Sequence, residues 1–232
     1  IIRIQDEPFD GLSSLAYARL FRHAHKRGSV VLCDGHGLDE VWSGGGVEHQ
    51  ATSEHALSSL SPDFVAQAYR PEYPEPFSTS QENNRYVSIF YTALPARLRF
   101  NDRVSMAYST ELRKPFLDHR LIEYAFAQPE KLRVRNRIDK WIPRQIAASL
   151  LPGNIRLAPA NMACEYRQQQ WLTEDLSDWV ETTIDDLEHS DVSGWFNFPN
   201  LKHLWWNFQH GMDDTTDFIW KWINLNMLLS KR

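Results

Sequence analysis

The chain has 232 residues, of which 42% are hydrophobic, and a formal net charge of −5. This length and composition allow one sizeable hydrophobic core, so we expect a single domain over residues 1–232. The acidic balance does not supply the clustered Lys and Arg side chains that neutralise phosphates, so nucleic acid is excluded as an expected partner.

Cysteine content and hydropathy indicate the compartment. The two cysteines, Cys33 and Cys164, predict no disulfide framework, and the composition fits a reducing compartment such as the cytoplasm. No apolar run approaches the roughly 18–20 residues that a membrane-spanning helix needs, and the first residues do not resemble a signal peptide. We therefore expect a cytoplasmic chain with no membrane partner. Because it begins with Ile1 rather than methionine, we also expect a piece of a longer polypeptide.

The first elements indicate an α/β fold. Apolar side chains recur at three- and four-residue spacing over residues 12–28, with Ser13 or Ser14 available as an N-cap and Gly28 as a stop, which predicts an amphipathic helix. Residues 29–34 form a continuous apolar run closed by an acid, which is typical of a strand buried on both faces of a parallel sheet. A helix, a buried strand and a glycine turn in this order are typical of α/β proteins.

Residues 1–50 are thus expected to contain the end of a parallel sheet and a glycine loop, and residues 51–232 a large, mostly helical layer. The proline-rich stretch from Tyr69 to Ser80 predicts a surface loop. Apolar spacing then predicts helices over Val87–Leu98, Val104–Glu111, Asp118–Ala127, Asp139–Leu151, Gln168–Leu187 and Thr215–Leu229. A core position is expected for the C-terminal tryptophans Trp205, Trp206, Trp220 and Trp222. The fold class is therefore α/β and helix-rich.

The run DGHGLDE, Asp34 to Glu40, directly follows the predicted strand. Ligands of open α/β sheets bind at such turns, and Gly35 and Gly37 let the backbone approach an anion without a Cβ in the way. The acids would repel a phosphate unless a divalent cation lay between them, so the loop predicts a site for Mg²⁺ and a polyphosphate. The pattern leaves open a second interpretation, in which Asp39 and Glu40 only complement a helix dipole and Asp34 only ends a strand.

Two other interpretations of this region are weaker. A transition-metal hydrolase would use Asp34, His36 and Asp39 as ligands, but one histidine with two carboxylates on a glycine loop matches no strong ligand pattern. The glycine run Ser43–Gly46 could suggest a phosphate loop, but it follows helical residues and continues with Val47, so we reject that interpretation.

Two further stretches carry charge. From Leu98 to Ala125, charged residues alternate with core-like residues, and most are expected to form paired structural networks, because an isolated buried charge is costly. Farther on, Pro143 fits only the first turn of a helix, which makes Asp139 the predicted N-cap and Lys140 the first helical residue. Lys140 either points into solvent or faces an anion, as a lysine does where it stabilises phosphoryl or adenylyl charge.

Together these stretches resemble, over essentially the whole chain, the synthetase domain of the glutamine-dependent asparagine synthetase family, which includes β-lactam synthetase-like relatives. DGHGLDE at residues 34–40 is similar to the family's Gly-(Glu or Gln)-Gly-x-Asp-Glu pattern. DRVSMAYSTELRKPFLD at residues 102–118 is similar to its long and highly specific second motif, and DKWIPR at residues 139–144 to the context of its catalytic lysine. The chain departs from the family at His36, where Glu or Gln is usual, and at Gly45, where Tyr is usual.

The resemblance implies an ATP-dependent carbon–nitrogen ligase with an adenine-nucleotide alpha-hydrolase-like fold. In that reaction ATP activates a carboxylate, such as aspartate, as an acyl adenylate, and pyrophosphate leaves with Mg²⁺. Ammonia from a glutaminase domain or subunit then forms the amide. The family's pyrophosphatase loop and glutaminase domain precede the position of Ile1, so the resemblance implies that the missing N-terminal half is a partner and that this chain alone is inactive.

The family's roles carry over to matching positions. Lys140 would stabilise charge on the phosphate, Asp39 would bind Mg²⁺-pyrophosphate, and His36 would lie next to the intermediate. The residues against the nucleotide would be Asp34, Gly35 and Gly37. This interpretation requires Asp39 and Lys140 to converge on one cavity. The alternative is a catalytically degenerate module of the same fold that binds protein through the aromatic segment at residues 195–211.

Overall fold

The computed structural model describes residues 1–9, 11–43, 57–69, 71–136, 138–158, 164–212 and 216–230. These residues are largely helical with one small parallel sheet, which confirms the helix-rich α/β class. They group into two compact units. The loop unit comprises Phe21–His49 and Glu72–Met162, and the flanking unit comprises Ile1–Leu20, Gln50–Pro71 and Ala163–Arg232. The single domain over residues 1–232 and the adenine-nucleotide alpha-hydrolase-like type stay predictions.

The secondary structure follows a simple order. In chain order the elements are α1 (Ile2–Gln5), α2 (Gly11–Lys26), β1 (Val31–Cys33), α3 (Leu38–Trp42), α4 (Pro62–Ala66), α5 (Ser80–Phe90), α6 (Ala93–Ala107), β2 (Glu111–Arg113), α7 (His119–Ala127), α8 (Glu130–Arg133), α9 (Trp141–Ile146), α10 (Gly153–Arg156), α11 (Cys164–Thr173), α12 (Ser177–Glu188), α13 (Phe198–Gln209) and α14 (Thr216–Leu229). Short 3₁₀ turns lie at Pro115–Leu117, Ala147–Ser149 and Ser193–Trp195. The strands and the candidate site residues all belong to the loop unit.

In the described residues the sheet consists of β1 and β2, which pair in parallel. The Glu111 N–H donates to the Val30 carbonyl at 2.8 Å, and the Asp34 N–H donates to the Arg113 carbonyl at 3.0 Å. The ladder therefore continues one residue beyond β1 at each end. Because Asp34 is held by the sheet, the DGHGLDE loop starts from a fixed point.

The expectation that β1 is buried on both faces is wrong. Val30 is 63% exposed, Val31 is 40% exposed, and Cys33 is also exposed. Within the described residues β1 has one neighbouring strand, and the adjacent side chains of Val30 and Val31 point to opposite faces, so water reaches both faces here. The helix predicted over Val104–Glu111 is right only as far as Ala107, where α6 ends, and wrong beyond it, because Glu111 begins β2.

The core of the loop unit is built around α3. Val41 and Trp42 of α3 are buried with Ile89 of α5, Leu94 of α6 and Ala125 of α7. Further apolar side chains pack against this cluster: Leu38, Leu98, Leu117, Ile122, Phe126 and Ile142. Full burial of a large apolar side chain contributes roughly 1.5–3 kcal/mol. Packing, rather than helical propensity, therefore holds α3, which has only 5 residues.

Three predicted helices agree well with the structure. The helix expected over residues 12–28 is α2, which ends before Gly28, a residue with a left-handed φ of 79°. It begins at Gly11, so neither Ser13 nor Ser14 can be its N-cap. Asp118–Ala127 and Thr215–Leu229 correspond to α7 and α14.

The helices predicted over Val87–Leu98, Asp139–Leu151 and Gln168–Leu187 are each interrupted. The first crosses the break between α5 and α6, where Pro95 lies in the first turn of α6. The second contains α9 followed by the 3₁₀ turn at Ala147–Ser149, and the third is divided into α11 and α12. Apolar spacing alone does not reveal such breaks, because successive helices that pack on one core share the same periodicity.

The predicted proline-rich loop is confirmed over residues 71–79, which form neither helix nor strand. Within the loop unit, the Asn83 side chain accepts from the Phe77 N–H at 2.8 Å and donates to the Phe77 carbonyl at 2.9 Å. The Phe77 ring stacks on Phe126 with centroids 5.4 Å apart. The loop is therefore anchored to α5 and α7 although it contains no regular structure.

The flanking unit has its own helical core. Its buried apolar residues include Leu172, Val180, Ile184, Leu187, Leu201, Leu204, Phe208, Ile219 and Ile223. The Trp220 Nε1–H donates to the Phe9 carbonyl at 3.0 Å, and Asn224 exchanges hydrogen bonds with both backbone groups of Phe9. Trp205, Trp220 and Trp222 are buried as expected, whereas the core prediction is wrong for Trp206, which is 45% exposed.

Within the described ranges, no helix is both long and apolar enough to cross a membrane. Gly44, Gly45 and Gly46 lie outside the described residues.

Candidate active site

The first half of the DGHGLDE loop is organised by Asp34. Its Oδ1 accepts from the His36 N–H at 3.0 Å, and its Oδ2 accepts from His36 Nδ1 at 2.7 Å. With Nδ1 donating, the other ring nitrogen, Nε2, accepts from the Asn101 side-chain amide of α6 at 3.2 Å. Both ring nitrogens of His36 therefore have partners, and the imidazole is held between the end of β1 and α6.

The second half of the loop is organised by Glu40. This residue is buried, and its carboxylate accepts from the Gly37 N–H at 3.0 Å and from Arg97 of α6 at 3.0 Å. The bond from Gly37 is the reciprocal half of a capping box, because Glu40 lies three residues into α3. Glu40 therefore supports the loop as a structural residue, and the expectation that it helps to attract a metal is not supported by its position.

The two loop glycines differ in their surroundings. Gly37 has a left-handed φ of 95°, and a Cβ there would overlap the side chain of Leu117. Gly35 has open space within 4 Å of the position of a Cβ. Packing and backbone conformation thus require glycine at Gly37 without any ligand, whereas the space at Gly35 is open to one. Their contact with a nucleotide stays a prediction.

Asp39 and Lys140 meet. The Lys140 Nζ forms an ion pair with Asp39 Oδ1. The Asp39 side chain is 59% exposed, whereas the Lys140 side chain is 14% exposed. The two residues that the sequence requires to converge therefore lie together, with the lysine enclosed and the carboxylate open to solvent.

The packing of α9 explains why Lys140 reaches α3. Ile142 of α9 packs against the same apolar cluster as Val41 and Trp42 of α3. Lys140 itself is the N-cap of α9 and has a left-handed φ of 59°. The prediction of Asp139 as N-cap is therefore wrong by one residue.

A left-handed conformation is uncommon for lysine and costs roughly 1–2 kcal/mol. Pro143 lies in the first turn of α9, as predicted, and the Arg144 N–H donates to the Lys140 carbonyl at 3.0 Å. The backbone of the turn that contains Lys140 is thus fixed by the first turn of α9.

The arrangement argues against a transition-metal hydrolase. Among the described residues, no group of three or more His, Cys, Asp or Glu side chains could hold a metal ion. Asp34 and His36 are bonded to each other, but Asp39 does not join them in a group that could hold a metal ion. The three-ligand interpretation of Asp34, His36 and Asp39 is therefore wrong.

Two ion pairs in and beside the second motif lie at the surface. Glu111 pairs with Arg113 and Asp118 pairs with Arg120, and both arginines are well exposed. An enclosed network in the described part of the loop unit lies among Glu82, Arg85 and Arg133. Arg85 contacts α3, since its guanidinium donates to the Val41 carbonyl at 3.1 Å. The sequence did not reveal this contact.

Arg97 and Asn101 contact the loop from α6 and were not predicted from the sequence. Asn101 directly precedes the second motif, and this proximity was the available signal. The aromatic segment at residues 195–211 offers a limited surface, since Trp205 and Phe208 are buried while Trp195 and Trp206 are 40% and 45% exposed. Protein binding through that segment stays a prediction.

Comparisons with known proteins agree with the motifs. The family model for asparagine synthase matches residues 1–230. The glutamine-hydrolyzing asparagine synthetase of Gallus gallus is 29% identical over 189 residues, covering 78% of this chain and 29% of the relative. That of Rattus norvegicus is 28% identical over 212 residues, covering 84% and 33%.

A bacterial relative, glutamine-hydrolyzing asparagine synthetase 1 of Bacillus subtilis, is 28% identical over 136 residues, covering 58% of this chain and 21% of the relative. The chain therefore spans no more than about a third of the length of these curated relatives, since the largest share is 33%. No solved structure gives a significant match. Since the family model extends over nearly every residue, the chain belongs to the asparagine synthase family.

Proposed function

We propose that this chain forms part of the active site of an ATP-dependent ligase that adenylates a carboxylate, such as aspartate, and joins it to glutamine-derived ammonia as an amide. The observation that carries the proposal is the ion pair between Asp39 and Lys140, two residues from distant motifs. The reaction class is supported by relatives that are glutamine-hydrolyzing asparagine synthetases. A glutaminase domain or subunit and the N-terminal half are the proposed partners.

Asp39 is the residue that we assign to Mg²⁺. At phosphate-processing sites, Mg²⁺ is commonly bound by one or two carboxylates, while substrate phosphates and waters complete its shell. The Asp39 carboxylate is 59% exposed and can supply such a ligand. The donor set therefore fits Mg²⁺ bound together with a phosphate, rather than a metal held by protein ligands alone.

Lys140 is the residue that we assign to phosphate charge. When bound, ATP supplies the activated phosphate that the substrate carboxylate attacks. The Lys140 ammonium is a compact positive charge in an enclosed position, where its effect on developing negative charge is stronger than in water. Its left-handed backbone holds the side chain towards α3 before any ligand arrives.

The remaining loop residues have supporting roles in this proposal. Asp34 and Gly35 lie against the nucleotide, and the open space at Gly35 favours close approach of a ligand. Gly37 shapes the turn between them and Asp39. His36 lines the acceptor position, and its ring nitrogens already contact Asp34 and Asn101. We therefore infer that His36 acts through shape and hydrogen bonding more than as a general base.

We further propose that the isolated chain does not turn over. It covers 33% of the length of the rat relative, and its described sheet contains two strands. A site of this size supplies few of the contacts that hold a nucleotide. Binding of Mg-ATP by the chain alone is therefore expected to be weaker than micromolar.

The test combines calorimetry with an assay of pyrophosphate release. Mg-pyrophosphate and Mg-ATP are titrated into the chain, into Lys140→Met and into the control Lys131→Met, which changes an exposed lysine of α8. We expect weak binding to the chain and to the control, loss of binding in Lys140→Met, and no release of pyrophosphate with aspartate. If Lys140→Met binds as tightly as the chain, the binding site does not include Lys140. If the chain binds Mg-ATP at micromolar strength and releases pyrophosphate, the proposal that its site is incomplete is refuted.

A further inference from the structure

We propose that the Lys140–Asp39 ion pair makes binding of the metal and of the phosphate interdependent, so that the site accepts Mg²⁺ and a diphosphate together and either ion alone only weakly. This inference rests on the proposed function, because it assigns the two ions to these two side chains. It adds a property that the assignment alone does not require, namely that each side chain blocks its partner's ligand.

The three acids of the loop differ in their partners. Asp34 is bonded to His36, and Glu40 is bonded to Gly37 and Arg97. These contacts lie within the scaffold and are independent of Lys140. Asp39 differs, because its carboxylate is exposed and its partner is the lysine assigned to the phosphate.

Either ion alone meets an unfavourable charge at the Lys140–Asp39 pair. A cation that approaches Asp39 meets a carboxylate already neutralised by the Lys140 ammonium, and the two positive charges repel. An anion that approaches Lys140 meets the same difficulty with the opposite sign. Either ion alone must therefore disrupt the ion pair and leave one partner without its counter-charge.

Both ions together can replace the two partners of the ion pair. A diphosphate replaces Asp39 beside Lys140, and Mg²⁺ replaces Lys140 beside Asp39, so the charges alternate in sign from the carboxylate to the ammonium. Disruption of the pair is then compensated at both ends at once. The consequence is positive coupling between the two ions, which must be reciprocal because it is a property of binding free energies.

The position of Lys140 favours exchange over release into solvent. Its side chain is 14% exposed, and its backbone is fixed at the N-cap of α9. If the pair breaks, the ammonium remains enclosed and needs a new negative partner nearby. A diphosphate supplies that partner, whereas bulk chloride or water does so poorly.

The experiment measures each ion separately. Binding of Mn²⁺, an oxygen-preferring substitute for Mg²⁺, is followed by the loss of its free-ion electron paramagnetic resonance signal. Pyrophosphate is titrated by calorimetry in sodium buffer with EDTA, and preformed Mg-pyrophosphate is titrated by calorimetry without it. The proteins are the chain, Lys140→Met, Asp39→Asn and the control Lys202→Met, which breaks the exposed Lys202–Glu188 ion pair of the flanking unit.

We expect a crossed pattern. Lys140→Met should bind Mn²⁺ alone about fivefold more tightly than the chain, and Asp39→Asn should bind pyrophosphate alone about fivefold more tightly, which is the lower end of typical coupling strengths. Both variants should bind Mg-pyrophosphate more weakly, whereas Lys202→Met should match the chain with every probe. Urea unfolding of each variant checks that it is folded under the assay conditions.

Two results would overturn the inference, and they differ in their effect on the proposed function. If both variants lose Mg-pyrophosphate and neither gains affinity for a single ion, the two subsites are independent; the proposed function then stands and the coupling is refuted. If neither variant differs from the chain with any probe, or no protein binds Mg-pyrophosphate, both the coupling and the assigned site are refuted.

Discussion

Two sets of charged side chains in the loop unit differ in how far water reaches them. Arg85 and Arg133 are each 2% exposed and share Glu82, which is 21% exposed. In the second set, Lys140 is 14% exposed, but its partner Asp39 is 59% exposed. In the enclosed set both sides of each ion pair are largely covered, so the exchange of a partner for a ligand would leave a buried charge unpaired. In the open set the carboxylate faces water and can take up a ligand, provided that an anion then compensates Lys140, and this difference separates supporting charges from binding charges.

The enclosed network supports the helix that carries the open carboxylate. Arg85 bonds to Glu82 at 2.5 Å, donates to the Val41 carbonyl at 3.1 Å and lies 4.0 Å from the centre of the Phe126 ring. Burial, followed by the charge of Arg133, lowers the pKa of Arg85 to about 10, which still leaves it charged at neutral pH. The carbonyls of the last helical turn lack intrahelical partners. Arg85 thus anchors the end of α3, close in sequence to Asp39.

The largest expected effect comes from removing the shared acid. Glu82→Gln leaves two buried guanidinium groups without their counter-charge, and breaking a buried ion pair costs about 3–5 kcal/mol. Urea unfolding should therefore show a loss of this size in the free energy of unfolding. The control Glu123→Gln, which changes an exposed acid of α7, should have little effect. A loss below about 1 kcal/mol for Glu82→Gln would mean that water compensates these charges.

The two loop glycines give a second comparison between an enclosed position, Gly37, and an open one, Gly35. In Gly37→Ala the new Cβ would overlap the Leu117 side chain and lie 3.4 Å from the Phe116 carbonyl carbon, at a φ of 95°. Left-handed strain and overpacking together predict a loss of about 2–4 kcal/mol in the free energy of unfolding.

The matched control is Gly35→Ala, where nothing lies within 4 Å of the new Cβ. We expect Gly35→Ala to lose less than about 1 kcal/mol by urea unfolding, and any change in pyrophosphate binding by this variant to exceed its change in stability. Equal losses of unfolding free energy in Gly37→Ala and Gly35→Ala would show that the loop relaxes around a new Cβ at either position. The contrast between the two glycines would then be refuted.

The sequence predicted the features that depend on local chemistry and on long motifs. Asp118 as the start of a helix follows from its capping chemistry, and the meeting of Asp39 with Lys140 follows from motifs that resemble one family. β2 was missed because a three-residue strand with Glu, Leu and Arg has no visible alternation of its own, and only its pairing with β1 defines it.

The enclosed charges could not be predicted for a related reason. Arg85 and Arg133 lie in helical segments where an arginine normally indicates a solvent-facing side. Their burial depends on Glu82, on the carbonyls of Val41 and Ala125, and on the Phe126 ring, which come together only in the folded chain. Apolar periodicity identifies the faces of helices, but it does not identify a charge whose partners are supplied by other elements.

The smallest expected effect concerns Asp118, an ion pair of the open kind that also caps a helix. Its Oδ1 accepts from the Arg120 N–H at 3.0 Å, and its two oxygens accept from the Arg120 guanidinium at 2.9 and 2.7 Å. The guanidinium, followed by the backbone N–H, holds the pKa of Asp118 well below its usual range. Because the pKa is lower in the folded chain, the stabilisation is present above the unfolded pKa of about 3.9 and is lost as the pH falls through the folded value.

Asp118→Asn separates the charge from the cap, because asparagine also caps helices well but carries no charge. We expect the variant to be slightly less stable than the chain at pH 7 and the two to converge as the pH falls below about 4. Thermal unfolding of both proteins between pH 7 and pH 2 measures the difference, in which all other carboxylates cancel. In an Arg120→Met background the difference should shrink, since the main cause of the lowered pKa of Asp118 is then absent. A difference that stays constant with pH would assign the role of Asp118 to capping alone and would place it with the enclosed, structural residues.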